Sequence, residues 1–376
     1  MDLKATLNEI NTLAVERPEG VVYAPIVMDG VLEAGALAKV GPYIRERGFA
    51  SVALVVDEHT WEAAGERLAG LLAEHGIEFA VCRLKPNEQG DVIADERTIV
   101  QVLLQTPKQT EAVLAVGSGT INDVVRFVCH QTGRAFLSVP TAASVDGFTS
   151  VGAPIIVDGF KQTVPAIAPE AIFADLDVLA AAPQRMTAAG FADMLGKFTS
   201  LADWRFSSEM AGEHFSPLAY ELTERALLRC VESVDEIATG SVHGVEVLME
   251  ALLLSGWSML LVGHSRPASG GEHHLSHHWE MAYLAEGRRQ LLHGAKVGVA
   301  SVMLAKLYRE KLGEAYPDIF GKLPESSQLQ AWLQRAGGPA EPSEIGLTDA
   351  LIEAAMREAH ELRDRYTGLK HVVLNG

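Results

Sequence analysis

Cysteine is scarce in this chain: three residues in 376, at Cys82, Cys129 and Cys230. Their wide spacing supports neither a disulfide framework nor a cysteine-built metal knuckle, and each reads as a small core residue of a reducing compartment. Positive charge is also in deficit. Lys and Arg number 31 against 49 Asp and Glu, for a formal net charge of -18. Such a field repels a polyanion and argues against a nucleic-acid surface, while a local basic pocket can still hold a small phosphorylated substrate. No apolar run reaches the roughly 20 residues that a membrane span requires. The longest, 247–262, is interrupted by Glu250, Ser255 and Ser258 and reads as a buried helix. Met1-Asp2-Leu3-Lys4 lacks the charged-then-apolar pattern of a secretory leader, so the cytoplasm is the expected location. No internal repeat or low-complexity segment is present. What remains is 48% hydrophobic residues in 40.4 kDa, enough for two domains with substantial cores.

The two halves differ in period. Short apolar runs at 49–56, 77–84, 112–116 and 135–139 are bounded by Gly, Pro or Asp and suit strands buried on both faces. Helical patterns at 61–74 and 120–131 separate them, which predicts a parallel sheet with covered faces. Segment 153–165 reads as a hairpin turning at Asp158-Gly159. After Pro183 long amphipathic helices take over, at 187–206, 216–239, 244–263, 277–286, 294–312 and 350–365, with a last strand-like run at 370–374. The expected organisation is an α/β nucleotide-binding domain over 1–183 and an all-helical domain over 184–376. An extra amphipathic helix precedes the first strand, and the Pro-rich 337–342 is a loop.

The densest chemistry lies at 270–278, Gly-Gly-Glu-His-His-Leu-Ser-His-His, followed by His293-Gly294. His273 and His277 are four apart, as are His274 and His278, so each pair shares a helix face. Imidazole is a common ligand for divalent transition metals, and solvated surface histidines are the plainer reading. Asp193 stands among small and apolar residues in GFADMLGK. A lone acid there is costly unless bound to a metal or paired, and Lys197 at i+4 offers such a pair.

Three strand ends carry groups suited to a nucleotide. VLAVGSGTIND at 113–123 runs a buried strand through Gly117-Ser118-Gly119-Thr120 into a helix, where glycines let backbone N–H groups approach a pyrophosphate. It is neither GxGxxG nor a P-loop, and a plain β-to-α turn has the same pattern. The next strand ends in polar 141–150, and Asp57 follows the first run. Ligands of open parallel sheets bind beyond the carboxyl ends of strands. Asp57 suits a ribose diol, which favours NAD over NADP, and equally suits a helix N-cap ahead of Thr60.

The ordered set GSGTIND, PTAASVDGFTS, GFADMLGK, SRPASGGEHHLSHH and HGAKVG resembles the glycerol-1-phosphate dehydrogenases, within the metal-dependent glycerol dehydrogenase, iron-alcohol dehydrogenase and dehydroquinate synthase superfamily. The resemblance runs from about 21 to 310, and SVPTAASVDGFTS with SRPASG is its most specific part. It implies a dehydroquinate synthase-like fold: an N-terminal Rossmann-like domain, a helical C-terminal domain and an active site in the cleft between them. It maps metal ligands to Asp193, His273 and His293, and substrate contacts to Asp146, Asp193 and His277. Nucleotide contacts map to Asp57, Gly119, Thr120, Ile121, Asn122, Asp123, Thr141, Ala142, Ala143, Ser144 and Ser150. Gly117-Ser118-Gly119-Thr120 departs from the triple glycine common elsewhere in the superfamily. His274 and His278 acquire no family role and are read as helix-surface residues first, or else as residues packed behind the ligands.

The activity implied is reversible hydride transfer between NAD(P)H and the C2 carbonyl of dihydroxyacetone phosphate. One divalent ion (Zn, Ni or Fe) would act as Lewis acid, with His277 and Asp146 as the catalytic side chains. The phosphate would need a cation, for which Arg266, Lys161 and Lys197 are candidates. A homo-oligomer, a dimer by expectation, is part of the same resemblance. The alternatives are a glycerol or other polyol dehydrogenase on the same scaffold, a dehydroquinate synthase-like cyclase, and a catalytically silent nucleotide- or metal-binding protein.

Overall fold

The computed structural model describes residues 3–16, Tyr23 and 25–375. The chain forms two compact units: Met1–Leu13, Pro25–Ala143 and Gly147–Pro183 in the first, and Ala14–Ala24, Ser144–Asp146 and Gln184–Gly376 in the second. The segment Ser144–Asp146 therefore counts with the helical unit although the chain on either side of it lies in the first.

The first unit is built on a parallel sheet. Its strands are β1 (Asp29–Glu33), β2 (Ser51–Val56), β3 (Glu78–Arg83), β4 (Ala112–Gly117), β5 (Ala135–Pro140) and β8 (Ala171–Asp175), in the six-stranded order β1-β8-β5-β4-β2-β3. β2 and β4 are buried at every position, as their unbroken apolar runs require. Alternate residues serve opposite faces: Val52, Leu54 and Val56 pack into one core, Ala53 and Val55 into the other. The chain leaves β2 toward β3 on one side and reaches β4 on the other, so the winding reverses between β2 and β4. Asp57 and Gly117-Ser118-Gly119 sit at the carboxyl ends flanking that reversal. β6 (Gly152–Val157) and β7 (Phe160–Pro165) form the expected antiparallel hairpin. Its turn residues Asp158 and Gly159 both have positive φ, 51° and 75°, as a type I′ turn demands.

β1 and β8 have no counterpart among the apolar runs. β1 reads DGVLE, a glycine and two acids around two apolar residues, and its strand state comes from pairing in register with β8. Gly30 makes that pairing possible: it has φ 136°, and a Cβ there would lie 2.0 Å from the Ile172 carbonyl oxygen. β8 is only five residues long, and its full burial is a property of its position in the sheet.

Every regular element among the described residues of the second unit is a helix. The predicted helix 187–206 is two, Gln184–Leu195 and Lys197–Ala211, broken at Gly196. The segment 216–239 likewise divides into Pro217–Glu232 and Val234–Ala238. The helix expected from 277 starts at Gly271, so the whole histidine cluster is helical. Val242–Val262 is long and apolar enough to cross a membrane by length and composition, yet 78% of its apolar window is buried inside the protein. The strand-like run 370–374 belongs instead to the helix Gly368–Asn375. Its β-branched Val372 and Val373 suggested a strand, but Leu369 is fully buried in the helical core and Val372 packs against it.

A buried carboxylate anchors that last helix. Asp203 accepts hydrogen bonds from the backbone N–H of Gly368 (2.7 Å) and Gly271 (2.7 Å) and from the Tyr308 hydroxyl (3.1 Å). Burial, then the Glu272 charge, push the Asp203 carboxyl up from 3.8 to about 7. The folded state thus binds a proton that the unfolded chain releases near pH 4. The associated stability is complete at low pH and is lost as pH rises through about 7. Denaturant midpoints measured from about pH 4 to pH 7 should show this downward component in the native protein, and Asp203→Asn should flatten it.

Candidate metal and cofactor site

In the first unit the glycine turn is held by one side chain. Gly117 closes β4, and the helix Gly119–Thr132 begins at once, one residue earlier than the 120–131 pattern places it. Asn122 is buried and donates through Nδ2 to the carbonyls of Gly117 (3.2 Å) and Ser118 (3.1 Å), while Ser138 Oγ donates to its Oδ1 (2.7 Å). Its amide is thereby committed to shaping the turn. Ser118, at the N-cap, makes no side-chain capping bond. Ile121 points into the core. Ala142 and Ala143 are buried just beyond β5, with Thr141 and Ser144. Ser150 Oγ bonds the carbonyls of Gly147 (3.3 Å) and Gly152 (3.4 Å).

Asp57 takes the capping role. Its Oδ1 accepts the Thr60 N–H at 2.8 Å, and Thr60 Oγ1 accepts the Asp57 N–H at 2.9 Å. Arg126, which the motifs did not single out, is fully buried. It donates to Asp123 (3.0 Å) and to the carbonyls of Gly147, Phe148 and Gly152, fixing the 147–152 loop that carries Ser150. An arginine inside the apolar stretch VVRFVC, three residues after an acid, was the available signal.

In the second unit Asp193, His273 and His293 come together, with one potential ligand atom from each, all within 4.8 Å of one another. His273 Nε2 lies 3.2 Å from His293 Nε2 and 3.9 Å from Asp193 Oδ1. The nitrogen separation is close to the roughly 3.3 Å edge of a tetrahedron with metal–nitrogen bonds of about 2.0–2.1 Å. Glu272 Oε1 faces His273 Nδ1 at 2.8 Å, which puts the ring proton there and leaves the Nε2 lone pair toward the triad. Burial foremost, then His293, holds His273 well below the usual histidine range, so the ring is neutral and able to ligate. The donor set fits a divalent ion.

Glu272 had no role in the sequence reading. Fully buried, its carboxylate is itself fixed by Thr199 Oγ1 (2.7 Å) and the Gly270 N–H (2.6 Å).

The other predicted residues sort clearly. Lys197 Nζ bonds Asp146 Oδ2 (2.8 Å), Asp193 Oδ1 (3.1 Å) and the Ala268 carbonyl (2.9 Å), so all its N–H donors are engaged. Burial alone would lower its pKa, but the two carboxylates outweigh it and raise the value, keeping the ammonium charged. Ser255 Oγ donates to Asp146 Oδ2 at 2.8 Å, and the Asp146 N–H donates to Asp193 Oδ2 at 3.0 Å. Arg266 is ion-paired with Glu213. Lys161 lies on β7. His277 Nε2 is 3.0 Å from Arg363 Nη2, which makes Nε2 the acceptor and places the ring proton on Nδ1.

The surface reading of His274 is wrong. The helix Gly271–Ala285 is a core helix whose far face is also covered, and His274 is fully buried. His278 is partly exposed, 3.6 Å from Glu358.

Close helix packing delivers His293 to Asp193. His293 begins the helix His293–Leu312, and a Cβ on Gly294 would fall 1.8 Å from the Ala189 carbonyl oxygen, one turn before Asp193.

Known proteins agree with this architecture. Residues 31–183 match the model of the iron-containing alcohol dehydrogenases. A glycerol dehydrogenase from Schizosaccharomyces pombe superposes with TM-score 0.70 at 20% identity, over 93% of this chain and 86% of that one. The NADH-dependent butanol dehydrogenase A of Thermotoga maritima also gives 0.70, at 18% identity, over 93% and 92%. The fold is thus that of the iron-containing alcohol dehydrogenases. Among sequence relatives, the glycerol-1-phosphate dehydrogenase of Bacillus subtilis is 48% identical over 87% of this chain and 86% of its own length. That of Bacillus licheniformis is 46% identical over 93% and 90%. The chain belongs to the glycerol-1-phosphate dehydrogenase family.

Two substitutions test the geometry. Glu272→Gln should weaken metal affinity about 10- to 100-fold, measured by chelator competition, with the fold intact. Gly294→Ala should part the two helices and reduce bound metal at elemental analysis more than it reduces helical content by circular dichroism, since 1.8 Å leaves no room for a methyl group.

Proposed function

We propose that this chain is a glycerol-1-phosphate dehydrogenase: it transfers hydride reversibly between NAD(P)H and C2 of dihydroxyacetone phosphate, with one proton taken up on reduction. The observation that carries the reading is the convergence of Asp193, His273 and His293 in a chain nearly half identical to curated enzymes of that name.

Asp193, His273 and His293 would hold the divalent ion, which when bound supplies Lewis-acid polarisation of the substrate oxygen. The chain's own residues prepare that position. Glu272 fixes the tautomer and ring direction of His273. Lys197 holds the carboxylates of Asp146 and Asp193 in one arrangement. His277, through Nδ1–H, is a hydrogen-bond donor to a substrate oxygen. With its Nε2 occupied by Arg363, it is better suited to orient substrate than to surrender a proton, which favours water as the proton source. In the first unit, the turn shaped by Asn122 and the helix behind it are suited to the pyrophosphate of NAD(P). The carboxylate of Asp57 at the end of β2 disfavours a 2′-phosphate, hence NAD over NADP. Zn, Ni and Fe all suit one carboxylate and two imidazoles.

Elemental analysis joined to an NADH-oxidation assay tests the reading. One equivalent of a divalent transition metal is expected, with turnover on dihydroxyacetone phosphate that disappears on exhaustive chelation. Undiminished turnover of the metal-free protein would remove the ion from the reaction. Faster NAD reduction with glycerol than with glycerol-1-phosphate would make the chain a polyol dehydrogenase.

A further inference from the structure

A phosphorylated substrate needs positive charge near the ligand triad, and the cations considered from sequence are engaged elsewhere. Lys197 is saturated by two carboxylates and a carbonyl, and Arg266 is paired with Glu213. The neighbouring Lys296 is held by Glu280 at 2.9 Å. Two arginines of the 362–366 segment, outside every motif quoted above, differ from these.

Arg363 Nη1 donates to Ser269 Oγ (3.1 Å) and its Nη2 to His277 Nε2 (3.0 Å). Arg365 Nη1 donates to the Ser269 carbonyl and its Nη2 to Ser265 Oγ (2.9 Å). Every one of these acceptors is neutral, and Ser269 touches both guanidiniums. Among the described residues neither arginine has a carboxylate in ion-pair range. Glu272, the acid whose charge acts most strongly on both, spends its oxygens on His273 Nδ1, the Gly270 N–H and Thr199 Oγ1, and Glu213 spends its own on Arg266 and the Tyr366 N–H. Burial, then Arg363, then Arg266 pull Arg365 down to about 9. Two adjacent, largely buried cations that share only neutral acceptors carry a desolvation and repulsion cost that a dianion between them would offset. Each guanidinium has five N–H donors, so most remain available after these four bonds. Arg363 also lies close to the ligand triad: it touches His277, whose ring centroid is 6.3 Å from that of His293, so one imidazole separates the guanidinium from the ligands.

We propose that Arg363 and Arg365, with the hydroxyls of Ser265 and Ser269, form the phosphate cradle that selects a phosphorylated ketone over its unphosphorylated counterpart. The proposal rests on the substrate reading above and assigns that reading's specificity to this segment.

The test uses full-length holoenzyme and the variants Arg363→Met and Arg365→Met, with Arg365→Lys as the conservative companion. Each is first checked for metal content and thermal melting. KM and kcat are then measured for dihydroxyacetone phosphate and dihydroxyacetone, along with inhibition by inorganic phosphate. Loss of one charge-assisted contact predicts a KM for the phosphorylated ketone raised about 30-fold or more. In Arg365→Met, KM for NADH and for dihydroxyacetone should stay unchanged, phosphate inhibition should be lost, and Arg365→Lys should recover part of the effect; Arg363→Met also releases His277 Nε2 and is read by phosphate inhibition and the KM for the phosphorylated ketone alone. Metal-replete Met variants with native KM and native phosphate inhibition overturn the cradle while leaving the proposed activity standing. If the native enzyme turns over no phosphorylated ketone, the activity is what fails, and phosphate binding then judges the cradle alone: binding lost in the variants supports it, and absence of binding in the native protein overturns it. Should the Met variants not fold, Arg365→Lys and Arg363→Lys decide the matter by the same readouts.

Discussion

The second unit is organised around one ammonium group sealed from water. Lys197 holds Asp146 and Asp193 together, and the Asp146 backbone N–H returns a bond to Asp193. Two carboxylates side by side in a buried site repel, and neither would keep its orientation without the cation between them. Because one of the two also faces His273, the cation sets the stage on which two imidazoles and a carboxylate meet. A fourth group, Ser255, ties the same cluster to the middle of the long apolar helix. Both carboxylates share that one cation, and each has a neutral donor besides: Ser255 Oγ for Asp146 and the Asp146 N–H for Asp193.

A second constraint is steric. Asp193 and His293 sit on different helices, and a carbonyl of one occupies the space where any residue but glycine at 294 would place a side-chain carbon. The polar cluster and the close approach are interdependent, since the carboxylate reaches the imidazole only at that helix separation. Behind them Asp203 joins the starts of the histidine helix and of the last helix through two backbone N–H groups. The walls behind His273 are therefore polar and anchored to backbone.

What could be read in advance follows from how local each signal is. Buried parallel strands such as 112–117 announce themselves by unbroken apolar runs, and the positive-φ turn at Asp158-Gly159 by its residue types. β1 was missed and the helix at 368–375 misread because their state is conferred by neighbours remote in sequence: β8 for one, Asp203 and the helical core for the other. The triad residues were named through motif resemblance, since i,i+4 histidines alone do not distinguish a ligand from a surface pair. His274 shows the limit of that spacing: it has the same periodicity as His273, but both faces of the helix are covered, and periodicity cannot say so. Glu272 lay inside a quoted motif without a role, because the use of a carboxylate behind an imidazole appears only once the ring's direction is known. Arg363 and Arg365 lie beyond the motifs altogether and reach Ser269 across nearly a hundred residues of chain.

The long apolar helix Val242–Val262 has a consequence for the life of the chain before it folds. In an extended polypeptide it is the segment most attractive to a lipid bilayer or to another exposed apolar surface. Glu250, in its first half, carries a charge that a bilayer penalises and that the folded unit pairs with Arg229. That carboxylate marks the helix as one that belongs inside protein, so the competition between folding and misdirection is biased by a single ion pair.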